Sequence, residues 1–193
     1  ASKKRDNVFV RYWITSGRGD FGIVPSETTS NARFYCVVHD YDTKKTKQKE
    51  VGVKEVFVRD IPSKPKLLAT VKSNNYMLNA LLTLRAKEIG GDLGIALDSN
   101  GYIQESSIAN FAMVTQDKVL KTPRFDGILA GTTVKRAYDL KDSLLENKVI
   151  NGFEFCDLTE KDALGAAEMI MFGGGYCVPI VEMDGRKIGN GTP

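Results

Sequence analysis

An α+β fold is predicted for this chain from three observations. Short segments rich in Val, Ile, Phe and Tyr alternate with helical stretches, but without the strict strand–helix–strand rhythm of a parallel sheet. Glycine-bearing turns, Asp98-Ser99-Asn100-Gly101 and Asp184-Gly185, join neighbouring strands as hairpins. The helices carry their own start and stop signals, such as Thr159 with Asp162, and Gly90-Gly91.

In chain order, Val8 to Thr15 reads as a strand from its β-branched and aromatic content. Gly17, Gly19, Gly22 and Pro25 end it, and Arg18-Gly19-Asp20 reads as a turn rather than an adhesion signal. Arg33 to Asp40 is a second strand. Lys44-Lys45-Thr46-Lys47-Gln48-Lys49 is a solvated basic loop, and the composition shift there marks a unit boundary. Gly52 to Arg59 is a third strand. Pro62 and Pro65 hold Ile61 to Lys66 extended, and the apolar run Leu67 to Val71 continues it.

Ser73 is the predicted N-cap of a helix whose stripe runs Met77, Leu81, Leu84, Glu88, with Leu78, Leu82 and Ile89 beside it. Strands follow at Leu93 to Leu97, Tyr102 to Glu105 and Asn110 to Thr115, with a turn at Gln116 to Lys118. A helix is expected from Gly131-Thr132-Thr133 to about Asn147. Beyond it come a strand at Phe153 to Phe155, a capped helix from Glu160 to Ala167, and a strand at Met169 to Phe172 ending in Gly173-Gly174-Gly175. Tyr176 to Met183 and Arg186 to Ile188 form the last hairpin.

Bulk composition narrows the function. The 193 residues are 42% hydrophobic and 26% charged, ordinary for a globular domain. No apolar run approaches the ~20 residues of a spanning helix, so no membrane partner is expected. A net charge of +3, with no aromatic residues interleaved among the basic ones, gives no nucleic-acid footprint. Cys36, Cys156 and Cys177 lack metal-site or disulfide spacing and read as buried, reduced thiols, so no metal is expected and an intracellular, reducing compartment follows. His39 is the single histidine, and no nucleophile elbow accompanies it.

Four features carry chemistry. Lys72 ends an apolar run, where an amine is a competent nucleophile; the ordinary alternative is a lysine snorkelling to the surface. Glu105 ends a hairpin strand, as a surface carboxylate or as an anion against a protonated ring nitrogen. Leu129-Ala130-Gly131-Thr132-Thr133 opens a helix, as an ordinary cap or as an anion site built from backbone N–H groups and hydroxyls. Gly173-Gly174-Gly175 is a tight connection or a backbone nest near an anion. An amine, a carboxylate and two anion-binding backbone turns together match the needs of one cofactor, pyridoxal 5′-phosphate.

On these residues the chain resembles the class IV, fold-type-IV aminotransferases: branched-chain and D-amino-acid aminotransferases and aminodeoxychorismate lyases, with the plant D-amino-acid-transaminase-like members nearest. The matching text is Val10-Arg11-Tyr12-Trp13, Lys72-Ser73-Asn74-Asn75-Tyr76, Leu97-Asp98, Gly101 to Glu105, Asn110-Phe111, Pro123-Arg124-Phe125, Leu129 to Thr133 and Asp184-Gly185, in family order.

The resemblance implies a large pseudo-barrel domain over residues 50–193, preceded at 1–49 by the end of a small α/β domain and a linker. It implies that the chain is truncated at both ends relative to the family. It implies Lys72 as Schiff-base lysine and proton shuttle, and Tyr76 beside the cofactor's phenolic oxygen. Glu105 is the partner of the pyridine nitrogen, Thr132, Thr133, Gly174 and Gly175 hold the phosphate, and Arg11 lies near the substrate carboxylate. It implies amino-acid and 2-oxo-acid substrates, a homodimer, and a cytoplasmic or plastid location. Aminodeoxychorismate lyase chemistry and a non-catalytic aminotransferase-like domain are the alternatives. Ser106 stands where the family usually has Gly, Gly174 lacks a common hydroxyl, and Val134 replaces a frequent Arg.

Overall fold

The computed structural model describes residues 8–19, 22–24, 31–40, 48 and 50–193. Asp20 of the Arg-Gly-Asp turn, Pro25 and most of the basic loop lie outside the described residues. The chain divides into two compact units, Ala1–Lys45 and Thr46–Pro193.

In the first unit, β1 (Val8–Thr15) and β2 (Arg33–Asp40) form an antiparallel ribbon, in register from Val8 opposite Asp40 to Thr15 opposite Arg33. Cross-strand rings stack on it, Tyr12 on Phe34 at 6.0 Å and Phe9 on His39 at 5.6 Å between centroids. Such pairs are a main source of stability in a two-stranded ribbon.

The second unit is built on a barrel. Its strands are β3 (Val53–Val58), β4 (Leu93–Leu97), β5 (Ile103–Ser106), β6 (Asn110–Val114), β7 (Val119–Thr122), β8 (Gly152–Phe155), β9 (Glu168–Gly173), β10 (Tyr176–Met183) and β11 (Arg186–Lys187). Pairing runs β10-β3-β4-β5-β6, and β9 pairs with both β6 and β10. Six strands thus close on themselves, which removes open edges. β7, β8 and β11 hang from this ring. The strand β3 is parallel to β4 and to β10; the remaining ring pairs are antiparallel. Side chains rather than solvent fill the lumen, with Val53, Phe57, Ile95, Ile103, Phe111 and Met169 all nearly fully buried.

The parallel β3–β4 pair requires a crossover, and two helices supply it. After Pro65, a one-turn helix α1 (Lys66–Ala69) forms where an extended run is predicted. Pro65, at φ −52°, is set for a helical start, and its carbonyl accepts the N–H groups of Leu68 and Ala69. Helix α2 (Met77–Glu88) starts at Tyr76 rather than Ser73. The Ser73 hydroxyl instead accepts the Asn75 N–H at 3.3 Å, a local turn that competes with a cap.

The buried face of α2 is Leu82 and Ala86, packed on Val56, Val58 and Ala96, while Met77, Leu81 and Leu84 are exposed. The predicted stripe therefore faces outward. Ala86 is small because the helix lies close on β4: a Cβ added at Gly94 would sit 3.1 Å from Ala86 Cβ and 3.0 Å from the Leu82 carbonyl.

The predicted helix from Thr132 to Asn147 is two helices, α3 (Thr132–Asp139) and α4 (Lys141–Glu146), broken at Leu140. Both flank the β7–β8 wing, where Val134 packs with Leu120 and Ile150. Helix α5 (Glu160–Leu164) has the predicted capping box between Thr159 and Asp162, and ends at Gly165, before Ala167. The thiols also differ from expectation. Cys36 and Cys177 are exposed and Cys156 is partly so: every residue of β2 is exposed, and Cys177 lies on β10 beside buried Val178. Among the described residues no helix is long and apolar enough to cross a membrane, and no His, Cys, Asp and Glu cluster could hold a metal ion.

Candidate active site

A cavity of about 500 Å³ opens on the second unit and is lined, among others, by Lys72, Tyr76, Glu105, Thr132, Thr133 and Gly174. The chain brings them there from four separate segments. Arg11 belongs to the other unit, on β1 opposite Val37.

Lys72 lies in the segment between α1 and α2. It is exposed, not enclosed by apolar groups, and its Nζ sits 5.5 Å from the centroid of the Tyr76 ring. Tyr76 is held by its place at the start of α2.

A local irregularity aims Glu105. Ile95 pairs with Ser106 and Leu97 with Ile103, so β5 carries one more residue than β4 between these points. Such a bulge reverses the alternation of side chains. Ile103 and Ser106 therefore both face the lumen: Ile103 joins its apolar core, and the Ser106 hydroxyl donates to buried Glu55 at 3.0 Å. Glu105 is left facing the cavity.

There the Glu105 carboxylate meets two donors. Lys64 Nζ is 3.5 Å from Oε1, and the Leu129 N–H is 3.4 Å from Oε2. Burial raises its pKa above the ordinary carboxylate value, and the positive charges of Lys64 and Lys72 oppose that without cancelling it. A more basic carboxylate is a better acceptor for a protonated ring nitrogen.

The two glycine-bearing turns meet. Gly131 caps α3 with extended backbone and no side-chain hydrogen bond, so the first N–H groups of the helix lack a cap side chain. Gly174 and Gly175, at φ +58° and +79°, join β9 to β10 as a two-residue turn that needs left-handed backbone at both positions. The Gly175 N–H donates to the Thr133 hydroxyl at 3.1 Å, which ties the turns together. Gly173-Gly174-Gly175 is thus a tight connection and a wall of the cavity at once.

Sequence reasoning missed two residues. Lys64 was hidden because its partner, Glu105, is 41 positions away; its setting between Pro62 and Pro65, on stiff backbone, was the available sign. Asn110 stood only as part of a matching motif, yet it holds the Leu129–Gly131 turn by a 2.8 Å hydrogen bond from Nδ2 to the Leu129 carbonyl.

With this geometry in view, comparison with known proteins decides the kinship. The family model described as amino-transferase class IV matches residues 1–183. The chain belongs to the class IV aminotransferase family.

Among its relatives is the chloroplastic D-amino-acid transaminase of Arabidopsis thaliana, 35% identical over 186 residues, 94% of this class IV chain and 48% of the relative. A branched-chain-amino-acid aminotransferase of Pseudomonas aeruginosa is 31% identical over 128 residues, covering 64% of this chain and 39% of the relative. The crystal structure of the Escherichia coli branched-chain amino acid aminotransferase superposes with a TM-score of 0.77 at 25% identity, over 96% of this chain and 59% of that one. A hypothetical aminotransferase of Mycobacterium tuberculosis, solved in its PLP-bound form, shares the fold with a TM-score of 0.71 at 18% identity, over 85% and 58%. The chain spans about half the length of its Arabidopsis relative.

Proposed function

We propose that this class IV chain binds pyridoxal 5′-phosphate and belongs to an enzyme that transfers an amino group between an amino acid and a 2-oxo acid. One observation carries the reading: an amine, a carboxylate with two donors of its own, and two joined backbone turns line a single cavity. The cavity suits a molecule of that size. Its donor set suits it chemically: Glu105 for a ring nitrogen, and Thr132, Thr133, Gly174 and Gly175 for a phosphate.

When bound, the cofactor supplies an electron sink for the carbon that loses its proton. Lys72 Nζ would hold the cofactor through its aldehyde and, once freed by the substrate amine, would be the base that takes the proton from substrate Cα and delivers it to the cofactor's C4′. Glu105 would face the ring nitrogen and keep it protonated. Tyr76 would flank the phenolic side, and a substrate-carboxylate role for Arg11 rests on the family resemblance alone. Residues 50–193 act as the cofactor domain and residues 1–49 as the end of a smaller one.

The test is turnover. Wild-type protein with added cofactor is expected to move amino groups from D-amino acids or branched-chain L-amino acids to 2-oxo acids, and Lys72→Ala to fall to background. Release of pyruvate and p-aminobenzoate from aminodeoxychorismate, with no amino transfer, contradicts it. The family resemblance also supports a homodimer. The free thiols and the chloroplastic relative support a reducing compartment, cytoplasm or plastid.

A further inference from the structure

Asn110 is a polar residue only 4% exposed, at the start of β6, where the strand is paired on both edges. On one edge it pairs with Glu105 of β5, and on the other with Phe172 of β9. It therefore touches, through backbone alone, the strand that carries Glu105 and the strand that runs into Gly173-Gly174-Gly175.

Its side chain adds a third connection. Nδ2 donates to the Leu129 carbonyl at 2.8 Å. The N–H of the same residue, Leu129, donates to Glu105 Oε2 at 3.4 Å. Two residues directly opposite each other on the β5–β6 ladder thus grip both polar groups of one residue in the turn before α3. The grip extends to Gly131. Its N–H bonds back to the Leu129 carbonyl at 2.8 Å, and a Cβ built on Gly131 would lie 1.9 Å from Asn110 Oδ1. Asn110 fills the space above that glycine, which fixes where the chain enters α3.

We propose that Asn110 is a positioning residue: with Glu105 it clamps Leu129, and thereby holds Gly131–Thr133 in the conformation that accepts a phosphate. It acts through the turn, with Nδ2 on the Leu129 carbonyl and Oδ1 against Gly131. The proposal rests on the cofactor reading above and deepens it, because the clamp ties the carboxylate end of the cavity to its anion-binding end. A rigid turn presents its N–H groups already aligned, whereas a loose one must be ordered at the moment of binding.

The test uses the full 193-residue chain and two variants. Asn110→Ala removes the side chain. Asn110→Leu keeps the branched outline of the side chain and removes the donor, so that lost packing and a lost hydrogen bond are told apart. In both, amide hydrogen exchange of the segment spanning 127–133 is expected to rise about tenfold while β3, β4 and β9 keep their protection, the loss of one buried hydrogen bond. Affinity for pyridoxal 5′-phosphate, read by absorbance titration, is expected to fall about tenfold in both, and affinity for pyridoxal, which lacks the phosphate, by less than about twofold. Unchanged exchange in the 127–133 segment overturns the clamp. Equal losses for the two ligands overturn its role toward phosphate. Should wild-type protein bind neither ligand, the cofactor reading fails and the phosphate role with it, while the exchange result still decides the clamp.

Discussion

Glu55 sits inside the barrel, 1% exposed, between Val53 and Phe57 on β3. Its Oε1 accepts the Ser106 hydroxyl, and among the described residues its Oε2 meets no hydrogen-bond donor. Burial raises the carboxyl to about 7, with the Ser106 bond pulling down and the charge of Asp92 pushing up. A folded-state value above the ordinary 4.5 means that the barrel is most stable below about pH 4.5, as far as this group is concerned, and loses stability as pH rises through 7. The displacement corresponds to roughly 3 kcal/mol. Urea unfolding at pH 5 and pH 8 is expected to show wild-type protein losing stability of that order, and Glu55→Gln losing little; equal losses in both would contradict this. Residue-scale features divide sharply in how far sequence reveals them. Lys72 and Glu105 were singled out by residue type and setting and Tyr76 by the family resemblance, and the fold brings the three to one cavity. The exposure of Lys72, and the bonds from Lys64 and Ser106, were not, because each depends on contacts formed only after strands distant in sequence have paired.

Elements follow the same logic. Most strands were legible close to their ends because glycine and Asx turns bracket them, but β7 (Val119–Thr122) was not expected at all; the α5 capping box was legible because Thr159 and Asp162 bond each other locally. The inward face of α2 was not. Apolar residues surround that helix, so periodicity cannot tell which stripe is buried; close approach to Gly94 selects the one bearing Ala86. The extra residue in β5 was equally hidden, since a bulge has no composition of its own, yet it is what turns Glu105 outward. Substitutions test the helix assignment. Leu82→Ala is expected to cost about 2–5 kcal/mol, whereas Met77→Ala, at 71% exposure, should stay within about 0.5 kcal/mol. Similar costs at both positions in chemical denaturation would mean that α2 packs by its other face.

At the scale of the molecule, the second unit is a closed six-stranded barrel whose lumen is packed and whose candidate site lies outside it. Helices α1 and α2, which make the parallel β3–β4 crossover possible, deliver Lys72 and Tyr76. The bulged β5 delivers Glu105, and the turns entering α3 and leaving β9 deliver backbone N–H groups. The fold class and this set of residues were readable because each part keeps its local signal; the barrel's closure was not readable from pairing rules alone, since β9 joins two strands distant in sequence. The central claim is that this arrangement carries pyridoxal 5′-phosphate on Lys72. The most direct measurement is borohydride treatment of protein incubated with the cofactor, followed by mapping of the modified peptide. The expected result is a single label on the peptide bearing Lys72, absent from Lys72→Ala. A label spread over surface lysines, or retained undiminished in Lys72→Ala, would contradict the account.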